Sequence, residues 1–305
     1  MGHWRAPRCA VVDGDGSISY TRDEGRTITP TAVRQRPVQY IFTVVPLPRA
    51  NTMRGVDSCG SLQVSADAGC SWTAFGQVKG LDAPRLTGGH DDQAYLWDQN
   101  GLALYRVDGR QVTPLPAIAK DDTSSIGVAA LAVNRYLPWH VRAVLSDGTI
   151  RDSYDTGRSW NHSTGLGKPG DVVNAFSVAV SPVNPQVVWA QGINIAENDA
   201  HAPSEGRHIY RSTDGGRTFR VAVDHKPGQV TLVNGALLAP SPTDENVLYF
   251  IFGTSFARYG TDLFRFDARH NELSVQHNSH DGIKSISFNP GEEKVMYLGF
   301  AAELG

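Results

Sequence analysis

One eight-residue template recurs along the chain and limits its fold more than any other feature. Ser65-Ala-Asp67-Ala-Gly69-Cys-Ser71-Trp72, Ser153-Tyr-Asp155-Thr-Gly157-Arg-Ser159-Trp160 and Ser212-Thr-Asp214-Gly-Gly216-Arg-Thr218-Phe219 share the pattern Ser-x-Asp-x-Gly-x-Ser/Thr-aromatic. Thr21-Arg-Asp23-Glu-Gly25-Arg-Thr27-Ile28 is a weaker fourth copy. The chemistry is that of a tight turn: a short Asp side chain accepts backbone N–H bonds from residues just ahead, and Gly permits the positive φ that reverses the chain. Alternating segments flank each copy, such as Leu62-Gln-Val64 and Ile209-Tyr-Arg211, so each box is expected in a β-hairpin.

The Asp positions 23, 67, 155 and 214 reveal a period. The first interval is 44 residues and the second is twice that, so one unit lacks a full box. Tyr95-Leu-Trp97 and Leu102 to Val107, with Asp108-Gly109 as a degenerate turn, supply the missing hairpin, and Leu263 to Asp267 does the same after Asp214. A second pattern lies upstream of the turns. Val178 to Pro182 then Gln186 to Trp189, Leu237 to Pro242 then Asn246 to Tyr249, and Ile286 to Pro290 then Lys294 to Tyr297 read as strands A and B, with Leu131 to Asn134 then Val141 to Val144 as a looser copy. Strands C and D carry the box.

The chain ends on an A and B pair at Tyr297-Leu-Gly-Phe300 and begins with a C and D pair around Ser17 to Tyr20. Pairing the two would close a ring and remove two exposed edges. The expected fold is therefore all-β: a single β-propeller over residues 1–305, with six blades of four antiparallel strands and a ring closed by the N- and C-terminal strands. A seventh blade stays open if one long segment hides a further unit.

A formal charge of −3 without any basic run disfavours nucleic acid as a partner. No apolar stretch reaches the roughly 18 residues needed to cross a bilayer, and Met1-Gly-His-Trp-Arg5 lacks the apolar core of a signal peptide, so a soluble chain without a membrane partner is expected. Cys59 and Cys70 are expected to flank one hairpin and to form a disulfide, which favours an oxidising, extracellular compartment; three buried thiols, Cys9 included, are the alternative. No specific self-association patch is legible, and a monomer is expected.

Sequential antiparallel strands alternate ends, so A–B and C–D turns share one face and B–C and D–A loops the other. Three long B–C connections are expected, at Pro46 to Ser58, Asn194 to Arg207 and Gly253 to Thr261. Loops beyond hairpin length are more often functional. The second is the most polar stretch in the chain, and Glu197, Asn198, Asp199, His201, Glu205 and Arg207, with Arg49, Arg54, Arg258, Tyr259 and Asp262 from the other two, are candidates for a binding surface. A solvated loop tied to itself by Asx turns and salt bridges is the competing reading. D–A loops add Asp82, Asp122, Asn174, Asn234, His280 and Asp281.

No metal site is expected. Glu197, Asn198 and Asp199 could offer oxygen ligands to Ca²⁺, but without the spacing of an EF-hand, and the ten His form no zinc-type pair. His140 and His208 are expected to partner backbone groups or water. No Gly-x-Ser-x-Gly elbow or phosphate-cradling loop is present. Glycoside hydrolysis needs two carboxyl groups roughly 5 to 9.5 Å apart, for which Asp82, Asp122, Asp171 and Asp281 are the candidates.

The boxes at Asp67, Asp155 and Asp214 resemble those of the Asp-box, or BNR, propellers, which include sialidases, xyloglucan-active hydrolases and many secreted non-enzymatic proteins. That resemblance implies boxes at blade edges, away from any active site, and so structural roles for Asp23, Asp67, Asp155 and Asp214. Ala196 to His201, Ser204 to Arg211 and Phe252 to Asp262 are similar to a group of secreted propellers that act on a neutral metalloprotease and are cross-linked by transglutaminase. This implies a secreted location, a protease as protein partner, and exposed Gln such as Gln35 or Gln39 as acyl donors. The expected function is a secreted, non-catalytic propeller that binds a protein through its long B–C loops. A glycoside hydrolase with carboxylates at the channel mouth is the alternative.

Overall fold

Alternating strand residues and glycine-bearing turns dictate antiparallel hairpins, and the structure builds six sheets from them. It is a computed structural model that describes residues 18–30, 41–49, 51–57, 59–67, 71–118, 127–134, 136–166, 173–232, 237–251, 261–279, 282–288 and 294–301. The chain divides into two compact units. The first holds β1 (Ile18–Thr21) and β2 (Thr29–Pro30), the blade β3 (Ile41–Pro46), β4 (Met53–Asp57), β5 (Ser61–Ser65) and β6 (Thr73–Gln77), and the blade β7 (Pro84–Gly88), β8 (Gln93–Asp98), β9 (Leu104–Asp108) and β10 (Gln111–Leu115).

The second unit holds three consecutive blades. These are β11 (Val128–Val133), β12 (Val141–Leu145), β13 (Thr149–Ser153) and β14 (Asn161–Gly165), then β15 (Val173–Val180), β16 (Val188–Asn194), β17 (Arg207–Ser212) and β18 (Arg220–Asp224), then β19 (Leu238–Pro240), β20 (Val247–Ile251), β21 (Thr261–Asp267) and β22 (Glu272–Ser279). A single five-residue helix, α1 (Ile195–Asp199), joins β16 to β17. Finally β23 (Gly282–Phe288) and β24 (Met296–Ala301) return to the first unit, where the sheet order β2-β1-β24-β23 joins both ends of the chain in one blade. The fold is a six-bladed β-propeller of four-stranded antiparallel sheets.

Burial follows strand position. The B strands β4, β12 and β20 are buried along their whole length, whereas the D strands β6, β10 and β18 are largely exposed or half-buried. A B strand has sheet neighbours on both sides; β20 (VLYFI) reads as an unbroken hydrophobic run, whereas β4 and β12 bury Arg54, Asp57 and Arg142 among their apolar residues. In the second unit Trp189, Ile209, Val223, Leu248, Phe250, Phe264 and Phe266 form one cluster across two blades, with Phe250 stacked on Phe264 at 5.1 Å. Each such aromatic contributes roughly 1.5–3 kcal/mol by leaving water.

The four boxes share one hydrogen-bond pattern. Asp155 Oδ1 accepts from the backbone N–H of Arg158 (3.0 Å) and Ser159 (2.9 Å) and from Ser153 Oγ (2.7 Å), while Oδ2 accepts from Ser159 Oγ (2.6 Å). Asp214 repeats this with Arg217, Thr218 and Ser212. Asp23 and Asp67 take the side chains and backbone N–H of Thr27 and Ser71 and the hydroxyls of Thr21 and Ser65. The leading hydroxyl is buried and does double service: Ser153 Oγ and Ser212 Oγ also accept from Gly157 N and Gly216 N, each at 2.8 Å. Gly157 and Gly216 have φ of 88° and 89°, the left-handed region where a side chain is strained.

Boxes also join blades. A Cβ added at Gly216 would collide with Ile150 Cδ1 of the preceding blade, and Phe219 packs on the cluster of Val144, Ile150, Val188 and Tyr210. Trp72 packs with Met53, Val295 and Tyr297 in the first unit. Two blades replace the box by other turns. Gly109 (φ 57°) follows Asp108 between β9 and β10, and between β21 and β22 Asp267 Oδ1 accepts from Arg269 N (3.0 Å).

Two sequence expectations change. Pro46 to Ser58 is not a B–C insertion: Met53–Asp57 is strand B of its blade, because these residues pair with β3 and are fully buried, and Leu47 N donates to Thr52 O across the A–B turn ahead of them. Asn174 lies within strand A, in β15, and not in a D–A loop. The segments carrying Asp122, Asp171, Asn234, His280 and Asp281 lie outside the described residues.

Gly216→Ala is expected to destabilise the protein by about 1–3 kcal/mol, through a strained φ and the clash with Ile150, read as a lower urea midpoint. Acid supplies a second check. Hydrogen bonds from the Thr27 hydroxyl and N–H hold Asp23 at about 2, and those from Ser159 do the same for Asp155. For Asp214 burial pushes upward, but the Thr218 hydroxyl and N–H outweigh it and leave the carboxyl at about 2. A depressed folded value means that this stabilisation is complete above the ordinary Asp range near 3.9 and fades as pH falls toward 2. The urea midpoint should lose this contribution between about pH 4 and 2, whereas an alanine at position 155 or 214 should flatten part of that slope.

Candidate functional site

The 194–207 connection runs from the end of strand B to the start of strand C and is tied mainly to itself. Asn194 caps α1, its Oδ1 accepting from Ala196 N (3.1 Å) and Glu197 N (3.3 Å), while its Nδ2 donates to Glu197 Oε1 (3.1 Å). The Asn194 side chain thus serves as N-cap and is itself held by the Glu197 carboxylate. Asn194 N donates to Gly206 O (2.8 Å), which closes the loop at its base. Gly206 has φ 67°, and a Cβ there would overlap Asn194 O, so only glycine fits.

The six candidates on this loop separate into two sets. Glu197 and Arg207 turn toward the blade: Glu197 Oε2 lies 2.8 Å from His208 Nε2 and accepts from Ser204 Oγ (3.2 Å), and Arg207 Nη1 reaches Leu232 O (3.4 Å) and Glu205 Oε2 (3.2 Å). Asn198, Asp199, His201 and Glu205 are exposed. Asn198, His201, Ala202, Pro203 and Glu205 line an open depression of about 430 Å³. The loop is thus both a self-tied turn and a polar surface of four exposed side chains.

The remaining candidates do not all gather here. Arg54 is buried in β4, where its Nη1 and Nη2 donate to Val107 O and Gly109 O of the next blade, both at 2.8 Å, so it is a stitch between sheets and not a binding residue. Arg49 sits in the A–B turn, at the opposite end of its sheet from any B–C loop. Asp262 is half-buried at the start of β21, and Arg258 and Tyr259 lie outside the described residues. Asp82 is exposed; its backbone N–H donates to buried Asp98 Oδ2 (2.8 Å), which fixes the D–A loop.

Cys59 occupies the turn before β5, whereas the box that bears Cys70 follows β5. Cys70, like Cys9, lies outside the described residues, and so therefore does the pairing with Cys59 expected from the sequence. Among the described residues no three His, Cys, Asp or Glu side chains group closely enough to hold a metal ion. Among the described residues no helix is long and apolar enough to cross a membrane.

Three features escaped the sequence. The first is a set of inter-blade arginines: besides Arg54, Arg142 Nη1 donates to Pro185 O (2.7 Å) and Arg211 Nη2 to Asn246 Oδ1 (2.8 Å). The second is an exposed apolar patch of Tyr136, Leu137, Trp139 and Tyr154. It lies on the A–B turn and box of one blade, which are joined by Thr156 N donating to Trp139 O (2.9 Å), with Tyr154 stacked on His140 at 4.7 Å. The third is the pairing of His140 and His208, both buried, with carboxylates, His140 with Asp152 at 2.7 Å and His208 with Glu197 and Asp224, instead of with backbone or water.

Fold and loop together define a six-bladed propeller whose carboxylate turns frame its sheets and whose most elaborate described loop joins strands B and C. Over 97% of its length the chain is 39% identical to the dispase autolysis-inducing protein of Streptomyces mobaraensis, of which the match covers 89%. It belongs to the family of that protein. No protein-family model matches the chain. Among solved structures, an ancestral GH74 enzyme is similar with a TM-score of 0.51 at 17% identity, over 78% of this chain and 31% of the enzyme. The GH74 enzyme of Niastella koreensis gives 0.51 at 14%, over 95% and 38%. The chain thus spans about a third of the length of these enzymes, and the likeness is one of fold alone.

Arg54→Ala is expected to cost about 2–4 kcal/mol, because it leaves two carbonyls at a sheet boundary without their donor and removes packed stem carbons. The urea midpoint should fall while partner binding by the folded protein stays unchanged.

Proposed function

We propose that this chain is a secreted, non-catalytic propeller that binds an extracellular protease, a metalloprotease, through its 194–207 loop. The observation that carries this is the 39% identity, along nearly the whole chain, to a protein whose name says that it induces autolysis of dispase. The loop suits such a role because Asn198, Asp199, His201 and Glu205 project from a base that is already ordered by capping and by the Asn194–Gly206 bond. A pre-ordered loop loses little conformational entropy on docking. The connection between β20 and β21, with Arg258, Tyr259 and Asp262, is the second contributor in this reading.

The test is to mix the purified protein with a secreted neutral metalloprotease and to measure both binding and the rate of protease autolysis. Combined His201→Ala and Glu205→Ala should weaken binding by about ten-fold or more, since a few central side chains carry most interface energy. Trp139→Ala, at the other end of the sheets, should not. Loss of binding with Trp139→Ala alone would move the contact to the aromatic patch and overturn the loop assignment. A parallel panel of glycosides should show no turnover. Turnover abolished by Asp82→Ala, Asp122→Ala or Asp281→Ala would replace this reading with a glycoside hydrolase.

A further inference from the structure

His208 sits at the base of the 194–207 loop with its side chain 5% exposed. Its Nε2 lies 2.8 Å from Glu197 Oε2 of α1, and its Nδ1 lies 2.9 Å from Asp224 Oδ1 at the end of β18. A neutral imidazole has one N–H and one bare nitrogen. It can donate to only one of two carboxylates, and the other contact would then oppose two lone pairs at hydrogen-bond distance. Only the imidazolium donates to both.

The geometry points to a charge-dependent clamp: protonated His208 bridges Glu197 and Asp224 and so ties α1 to the outer strand of its blade, and loss of the proton releases one side. The surroundings leave no other cation in the bridge. Tyr210 presents a ring at 5.5 Å, roughly edge-on, and the nearby Arg207 is paired with Glu205. His225, next to Asp224, has its Nε2 3.8 Å from Glu205 and its Nδ1 accepting from Leu232 N, an arrangement that the neutral ring satisfies. Burial pushes His225 down, with Glu205 opposing, which keeps it out of the bridge.

Of the two halves, Glu197 has further donors in Asn194 Nδ2 and Ser204 Oγ. Asp224 is half-exposed and can turn to water. Deprotonation therefore frees the link to β18, and the one remaining N–H keeps Glu197 of α1 on a ring no longer anchored to Asp224. Because both contacts need a donor, the clamp requires the charged ring: it is intact on the acidic side and is lost as pH rises.

The clamp is independent of the partner proposed above, because its readout is the state of the loop itself. Nitrogen-15 spectra of the imidazole and amide spectra of the intact chain should be followed from about pH 5 to 8.5, the span over which histidines change charge. The expected result is two protonated ring nitrogens at the acidic end, and amides of residues 194–207 and 222–224 moving with the same midpoint as the ring. Nicking within the loop by an added protease, relative to a variant without the switch, should rise about ten-fold across that span.

Asp224→Asn provides that variant. Its amide donates to Nδ1 of a neutral ring whose Nε2–H still serves Glu197, so the loop amides should cease to titrate while the fold is kept. A single neutral tautomer of His208 from pH 5 upward would overturn the clamp. So would titration of the ring without movement of the loop, or loop amides that titrate equally in Asp224→Asn.

Discussion

A carboxylate two residues beyond the end of strand C holds each full box closed, and the rest of the architecture depends on it. Its two oxygens take backbone N–H groups and a hydroxyl from the far side of the turn, together with a buried hydroxyl from the near side. Most donors freed when the chain reverses are thereby satisfied inside the turn, and the A–B turn takes one more, Thr156 N on Trp139 O and Gly215 N on Gln186 O. The turn can then face solvent while its glycine and aromatic pack sideways onto the neighbouring sheet, as Gly216 does on Ile150 and Trp72 does on Met53 and Tyr297. Arginines add to the join: Arg54 donates to Val107 O and Gly109 O at the turn that lacks a full box, and Arg142 to Pro185 O in a blade that has one.

The same division explains where chemistry can reside. Box carboxylates each accept three or four hydrogen bonds from their own turn and are held ionised, which suits a frame. The loop between β16 and β17 is different in kind, since its backbone is bonded while Asn198, Asp199, His201 and Glu205 stand exposed at its tip. Membership of the family of the dispase autolysis-inducing protein gives that tip a plausible task, and the His208 bridge gives its base a means of responding to the surroundings.

Much of the fold was legible because the box combines Ser/Thr, Asp and Gly at fixed spacing, and few other structures need all three. Strands A and B were legible from their apolar runs, and the shared terminal blade from the mismatch between how the chain starts and ends. The buried role of Ser65, Ser153 and Ser212 was not, because a serine ahead of a turn looks like any solvated hydroxyl. Pro46 to Ser58 misled because the Pro-rich turn and Arg54 resemble an exposed loop; burial of Met53–Asp57 is set by pairing with β3 and by carbonyls supplied 53 and 55 residues later, which no local pattern encodes. The His208 bridge likewise joins α1, β17 and β18, and its members are 11 and 16 residues from the histidine. Sequence spacing marked Glu197 as interesting but could not say that it faces inward.

If the box carboxylates are frame and not machinery, removing one must cost stability before it costs anything else. Equilibrium urea unfolding of Asp155→Ala against the unaltered protein tests this directly. The account requires a loss of about 1–2 kcal/mol, the scale of a capping carboxylate deprived of its donors. An unchanged midpoint would contradict it.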